Sequence, residues 1–323
     1  MKATLRHYLE LHLVVGILSF TAILGLLLEG ITPLSLIFWR TALAVVGLVV
    51  VLRWNENEKQ GMKNEKGRRF SFFHFSFFIP CFSFKKIAPL LALGALLAIH
   101  WILFFGAARL ANASVCLAGI STGSLWTAFL EPLFLRRRLR GLEVVLGLVV
   151  VVGLYVIFLF EFDKLLGLVV AVAAAALASL FSVLNARITA RYDARMLTLW
   201  EMVGANLTIL VLLPVYHLLI APNEPVRFWP QGWDWLWLAL LAGVCTVYAY
   251  SAMARLLRVF SAFTLNLAIN LEPIYGIVMA VLIFGNRERM TTGFYFGAAI
   301  VLAAVLAYPW LSRRGRGREV PTG

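Results

Sequence analysis

Ten apolar stretches, each close to the length of one bilayer crossing, fill nearly the whole chain: 11–28, 34–52, 87–106, 113–135, 142–160, 165–184, 197–219, 235–254, 260–284 and 292–310. A crossing takes about 20 apolar residues, because a helix rises about 1.5 Å per residue through a hydrocarbon core roughly 30 Å thick. Only 14% of the residues are charged, against about 25% in ordinary soluble domains. The fold class expected is an all-α polytopic membrane protein with ten transmembrane helices.

Lys and Arg near the ends of short loops are retained on the cytoplasmic side. With the N-terminus inside, 23 of the 29 basic residues fall in cytoplasmic segments, five in outer loops, and Arg40 within a span. This predicts a multi-pass protein of the cell inner membrane with both termini cytoplasmic. The net charge of +13 is then the topology signal together with attraction to anionic lipid headgroups. Scattered over six segments, it does not describe a nucleic-acid surface. The first stretch has no small-residue cleavage site after it and reads as a retained anchor. Cys81, Cys116 and Cys245 lack paired spacing, so neither a disulfide framework nor a metal site is expected. No cofactor is expected either.

The two halves carry matching strings. Phe38-Trp39-Arg40 is answered by Leu199-Trp200-Glu201 at an offset of 161, Trp101 by Tyr248 and Ser114 by Ser261 at 147, Gly94 by Gly243 at 149, and Gly147 by Gly297 at 150. Five helices per unit is an odd number, so the second unit must enter from the opposite face. The loops agree: Arg136 to Arg140 is strongly basic, whereas its counterpart Asn286 to Arg289 carries little net charge. The expected domains are a first five-helix repeat at 1–160, a second, inverted one at 161–312, and a basic cytoplasmic tail at 313–323. Inverted repeats that rock about a central site give alternating access. Leu130-Glu131-Pro132 and Leu271-Glu272-Pro273 look alike but lie at different distances from their following loops. They are not expected at equivalent positions.

Several strings resemble the drug/metabolite transporter superfamily in its EamA-like branch. They are Asn270-Leu271-Glu272-Pro273-Ile274-Tyr275, the following Leu282 to Glu288 with its Gly-rich last span, Phe38-Trp39-Arg40-Thr41, and His100-Trp101 with Phe104-Phe105-Gly106. The resemblance covers most of the chain except 53–86, and Asn286-Arg287-Glu288 departs from the family's Glu-Arg pair. It implies five-plus-five inverted helices and the export or exchange of small metabolites, often amino acids. The cytoplasmic loop 53–86 holds an aromatic insertion, 70–84, too short to cross and suited to an interfacial position.

Ionisable side chains inside a span are costly and point to function. Glu272 stands mid-span beside Pro273, with Asn270 and Tyr275 within a turn. They form a substrate or proton site, or else a polar network that only fixes packing. His100 offers a hydrogen bond and Trp101 a stacking face. Ser121, Thr122, Ser124, Trp126 and Thr127 suggest a polar wall, although such hydroxyls also bond back to their own helix. Tyr248, with Tyr250 and Ser251, would complete the cavity. Arg40 and Glu201, near opposite mouths, read as paired gates, or as side chains reaching their near interface, Glu201 with Arg195. Gly119-xxx-Gly123, Gly293-xxx-Gly297 and Ala171 to Ser179 are close-packing patterns.

No Walker string occurs, which excludes nucleotide-driven pumping by this chain. Gly119-Ile120-Ser121-Thr122-Gly123 matches the nucleophile-elbow string but lies in a continuous apolar span rather than at a strand-to-helix turn. No catalytic residue is assigned, and an enzyme is not expected. The expectation is a secondary transporter that exports an amino acid or similar compound, with protons as the candidate coupling ion. An uncoupled facilitator or a lipid flippase is the alternative.

Overall fold

The computed structural model describes residues 3–63, 84–135, 141–160, 162–216, 218, 227–269, 271–285 and 290–316. Asn270, the loops 136–140 and 286–289, all of the aromatic insertion but Phe84, and the tail from 317 lie outside the described residues. The elements are α1 (Leu5–Leu27), α2 (Pro33–Lys63), α3 (Phe84–Leu110), α4 (Ala113–Ile120), α5 (Gly123–Leu135), α6 (Gly141–Phe160), α7 (Leu165–Ile188), α8 (Ala194–Val215), α9 (Asp234–Ala242), α10 (Ala249–Leu256), α11 (Ala262–Ile269), α12 (Glu272–Phe284) and α13 (Thr292–Arg316). A π-helical turn, Gly243–Tyr248, joins α9 to α10. Among the described residues there is no strand.

Each expected apolar stretch falls on one helix or on a consecutive pair. Eight such segments are long and apolar enough to cross a membrane, and Val144–Ile157 and Thr292–Ala304 are shorter apolar helices. Large side chains on the outside are apolar, with Leu282 78%, Leu133 73% and Val211 67% exposed. So much exposed apolar surface suits a lipid environment and not water. The interior instead buries polar groups, among them Arg40, His100, Glu131, Glu201 and Glu272.

Local chemistry sets the helix ends. Asn112 caps α4 by accepting from the Val115 amide at 2.9 Å, and Asp193 caps α8 by accepting from Arg195 and Met196. Pro33 opens α2 at the position where a missing N–H costs nothing. α2 outruns the expected 34–52 and continues to Lys63, since Glu, Lys and Gln propagate a helix well.

Two expected continuous spans are broken. Span 4 divides into α4 and α5 at Ser121–Thr122, whose hydroxyls donate to the Leu117 and Gly119 carbonyls at 3.2 and 2.8 Å. Span 9 ends α11 at Ile269 and restarts α12 at Glu272, with Pro273 in the first turn. Proline there lacks an amide to continue the preceding helix and suits the start of a new one. Glu131 lies well inside α5 whereas Glu272 opens α12, so the two Leu-Glu-Pro strings do occupy different positions.

The rods pack in reciprocal fashion: α6 on α13, α2 on α8, α4 on α12, α5 on α11, with α3 against α7 and α8 while α1 meets α9 and α10 and α2 meets α9. Close approaches need glycine. A Cβ on Gly94 would strike the Glu201 carbonyl, and one on Gly204 the Leu91 backbone, which draws α3 and α8 together. Gly153 and Gly297 face one another, a Cβ on each lying 2.9 and 2.7 Å from the other's carbonyl oxygen. Gly147, the expected counterpart of Gly297, meets the Leu125 side chain instead.

Candidate functional site in the bundle centre

The two helix breaks open onto a central cavity. Ile120 and Gly123 flank the first break, Ile269 and Glu272 the second, and all four line it. Discontinuous helices at membrane depth are tolerated where the freed backbone faces a cavity. α3 adds His100, Trp101 and Phe104, α7 adds Ser179 and Ser182, α2 adds Arg40, and α10 adds Tyr250.

Trp101 organises one wall. Its indole Nε1 donates to the Tyr250 hydroxyl at 3.1 Å, the two rings meeting edge to face at 5.5 Å. The Arg40 guanidinium carbon sits 3.9 Å from the Trp101 ring centroid, a cation–π contact. Arg40 Nε donates to Thr246 Oγ1 at 2.7 Å, and Nη2 reaches toward the Cys245 carbonyl at 3.5 Å. Thr246 in turn donates to the Leu241 carbonyl five residues back, the reach that a π-turn provides. His100 Nδ1 pairs with the Ala174 carbonyl at 2.8 Å. A carbonyl only accepts, so Nδ1 carries the hydrogen and Nε2 is the ring's remaining nitrogen.

Glu272 is 5% exposed, and among the described residues no ion pair or hydrogen bond engages it. Asn266, one helical turn below the break, donates from Nδ2 to Thr127 Oγ1 at 2.7 Å and ties α11 to α5. Residues expected at the site thus divide. His100, Trp101, Glu272 and Arg40 come together. Ser121 and Thr122 mark the break but spend their hydroxyls on their own helix and do not line the cavity, nor does half-buried Trp126. Tyr248 is 37% exposed and faces a separate vestibule with Arg255 and Glu10, while Tyr250 takes the cavity position. Tyr275 is 44% exposed, because Glu272, Gly276 and Ala280 at four-residue spacing set the buried stripe of α12.

Arg40 and Glu201 do not stand at open mouths. Arg40 is fully buried on the cavity wall. Glu201 is 1% exposed and accepts from Asn185 Nδ2 at 2.6 Å, in place of the Arg195 partner considered above. Asn266 and Ser182 are not singled out by the sequence, and Ser179 reads there only as part of a close-packing pattern. A polar side chain within an apolar span was the available signal.

Trp101 and Tyr250 are 149 residues apart. The same spacing links Phe104 to Met253, Ile120 to Ile269 and Gly123 to Glu272, all on the cavity. It also links the helix starts, where Asn112 accepts from Val115 N and Ser261 from Thr264 N. These pairs share the spacing of 149 read for Gly94 and Gly243 and differ by two residues from the 147 read for Trp101–Tyr248 and Ser114–Ser261.

Comparison with known proteins places this geometry in context. No curated protein matches the chain. Among solved structures 27 chains match. One, a crystal structure of a protein with 17% sequence identity, aligns at a TM-score of 0.62 over 97% of this chain and 99% of its own, a likeness of fold. Residues 165–308 match the family model described as the EamA-like transporter family. That family comprises membrane transporters of small molecules, not enzymes. Residues 165–308, the second half of the chain, are thus similar to the EamA-like transporter family, part of the drug/metabolite transporter superfamily.

Proposed function

We propose that the protein is a secondary transporter of the cell inner membrane that exports a small metabolite, an amino acid or similar compound. Two inverted five-helix repeats, 1–160 and 161–312, alternate access to the central cavity. The observation that carries the reading is the pair of helix breaks at matching positions of the two halves, both opening on one cavity. The reciprocal helix pairings support the repeat, since α2–α8 and α6–α13 are each pairs of counterparts and α4–α12 is mirrored by α11–α5. Broken helices at corresponding places in two halves are the usual geometry of a midplane transport site.

Glu272 is the group we assign to proton coupling, because it opens α12 at the break, lines the cavity, and has no countercharge among the described residues. Purified protein in proteoliposomes, loaded with a labelled amino-acid panel, tests this. Efflux from wild type should follow an imposed pH gradient, and Glu272→Gln should transport without that dependence. Gradient-independent flux in wild type would make the protein a facilitator and return Glu272 to a packing role.

A further inference from the structure

Arg40 is the buried cation that the proton-coupled reading leaves unused. It is fully buried, and no carboxylate among the described residues pairs with it. Trp101 covers the guanidinium, and Thr246 and the Cys245 carbonyl take donors from Nε and Nη2. Among the described residues Nη1 has no hydrogen-bond partner, and neither does Ser182 Oγ, elsewhere on the same wall. A guanidinium has five N–H donors in a fixed fork. A purely structural arginine at this depth would be expected to have those donors matched, because a buried charge without a partner is costly. The costly arrangement is retained on the wall of the central cavity, where a ligand can supply the missing acceptor.

The site is also built to hold the guanidinium still. The π-turn puts Thr246 where it accepts from Arg40 and donates to Leu241, so that hydroxyl cannot swing away. Trp101 is itself fixed by Tyr250. An oriented cation of this kind suits a planar anion bound through two parallel N–H···O bonds.

Resting on the transport reading above, we propose that Arg40 anchors the carboxylate of the transported compound. The cavity then selects carboxylate-bearing small molecules over their carboxyl-blocked analogues. Trp101 and Tyr250 position Arg40, and Glu272, on the opposite half, is left for the coupling proton or the substrate's ammonium group.

The test is competition in proteoliposomes, using whichever free amino acid of the panel wild type transports and the amide of that same amino acid. The expected result is that the amide competes about 100-fold more weakly, since a site built around a charged hydrogen bond rejects an analogue that cannot make it. Arg40→Gln should raise KM for the acid and bring acid and amide to near equality, and Arg40→Lys should restore part of the preference. Equal competition by acid and amide in wild type overturns the proposal and leaves the transport reading standing. If wild type moves no member of the panel, the amino-acid assignment fails first and this anchor with it. Should Arg40→Gln fail to fold, as judged by gel filtration, the wild-type comparison decides alone.

Discussion

Glu201 shows how a carboxyl is kept within the bundle with no countercharge among the described residues. It lies on α8, 1% exposed, and its described side-chain partner is Asn185 on α7, at 2.6 Å. Among the described residues the Asn185 amide oxygen has no partner of its own, so the residue is held for its donors. Asn185→Leu should therefore leave a buried carboxyl unsatisfied and cost about 1–3 kcal/mol of stability. Thermal unfolding in detergent would read this as a lower melting temperature, and a melt equal to wild type would mean another group serves Glu201. The backbone of the same residue limits how near α3 can come, through Gly94. One position thus serves packing through its main chain and polarity through its side chain, which argues against a free gating movement there.

At the scale of elements, irregularities in helix geometry carry the site while regular helices carry the frame. The breaks in spans 4 and 9 and the π-turn before α10 all deliver groups to the cavity or to Arg40. α6 and α13 contribute none of the cavity lining named here and pack tightly through Gly153 and Gly297. Gly153→Leu should force these helices apart at a cost of about 1–3 kcal/mol, the usual penalty for overpacking. Melting temperature should fall, while the protein that remains folded keeps the wild-type KM for its substrate. A changed KM would show that the α6–α13 contact moves in the transport cycle. Around Trp39, the rings of Phe38, Phe228, Trp229 and Trp235 cluster beside the same stretch of α2 that bears Arg40. Tryptophans at a helix end favour the membrane interface, which suits the loop expected outside.

For the whole molecule, the distribution of charge predicts sidedness. Gln231 belongs to a loop expected outside, and Arg191 to one expected inside; both are exposed. In a background without Cys81, Cys116 and Cys245, a membrane-impermeant maleimide should label Gln231→Cys in intact cells. It should label Arg191→Cys only after permeabilisation. The reverse pattern would invert the orientation and with it the assignment of export.

Hydropathy alone determined the class of this protein and where its apolar rods lie, because the length of an apolar run is a one-dimensional property; it did not reach the polar continuation of α2 to Lys63. It also located Glu272, His100 and Trp101, since polar side chains stand out in an apolar run. Which face each polar residue presents was decided only in three dimensions. A π-turn changes the phase of a helix and a break resets it, so Tyr250 replaced Tyr248, Tyr275 turned outward, and Ser121 and Thr122 were spent on the break itself. The sequence placed Arg40 near a mouth by its distance from the helix end. Tertiary packing put it beneath Trp101 on the cavity wall, because the neighbours that fix a buried cation come from helices distant in the chain.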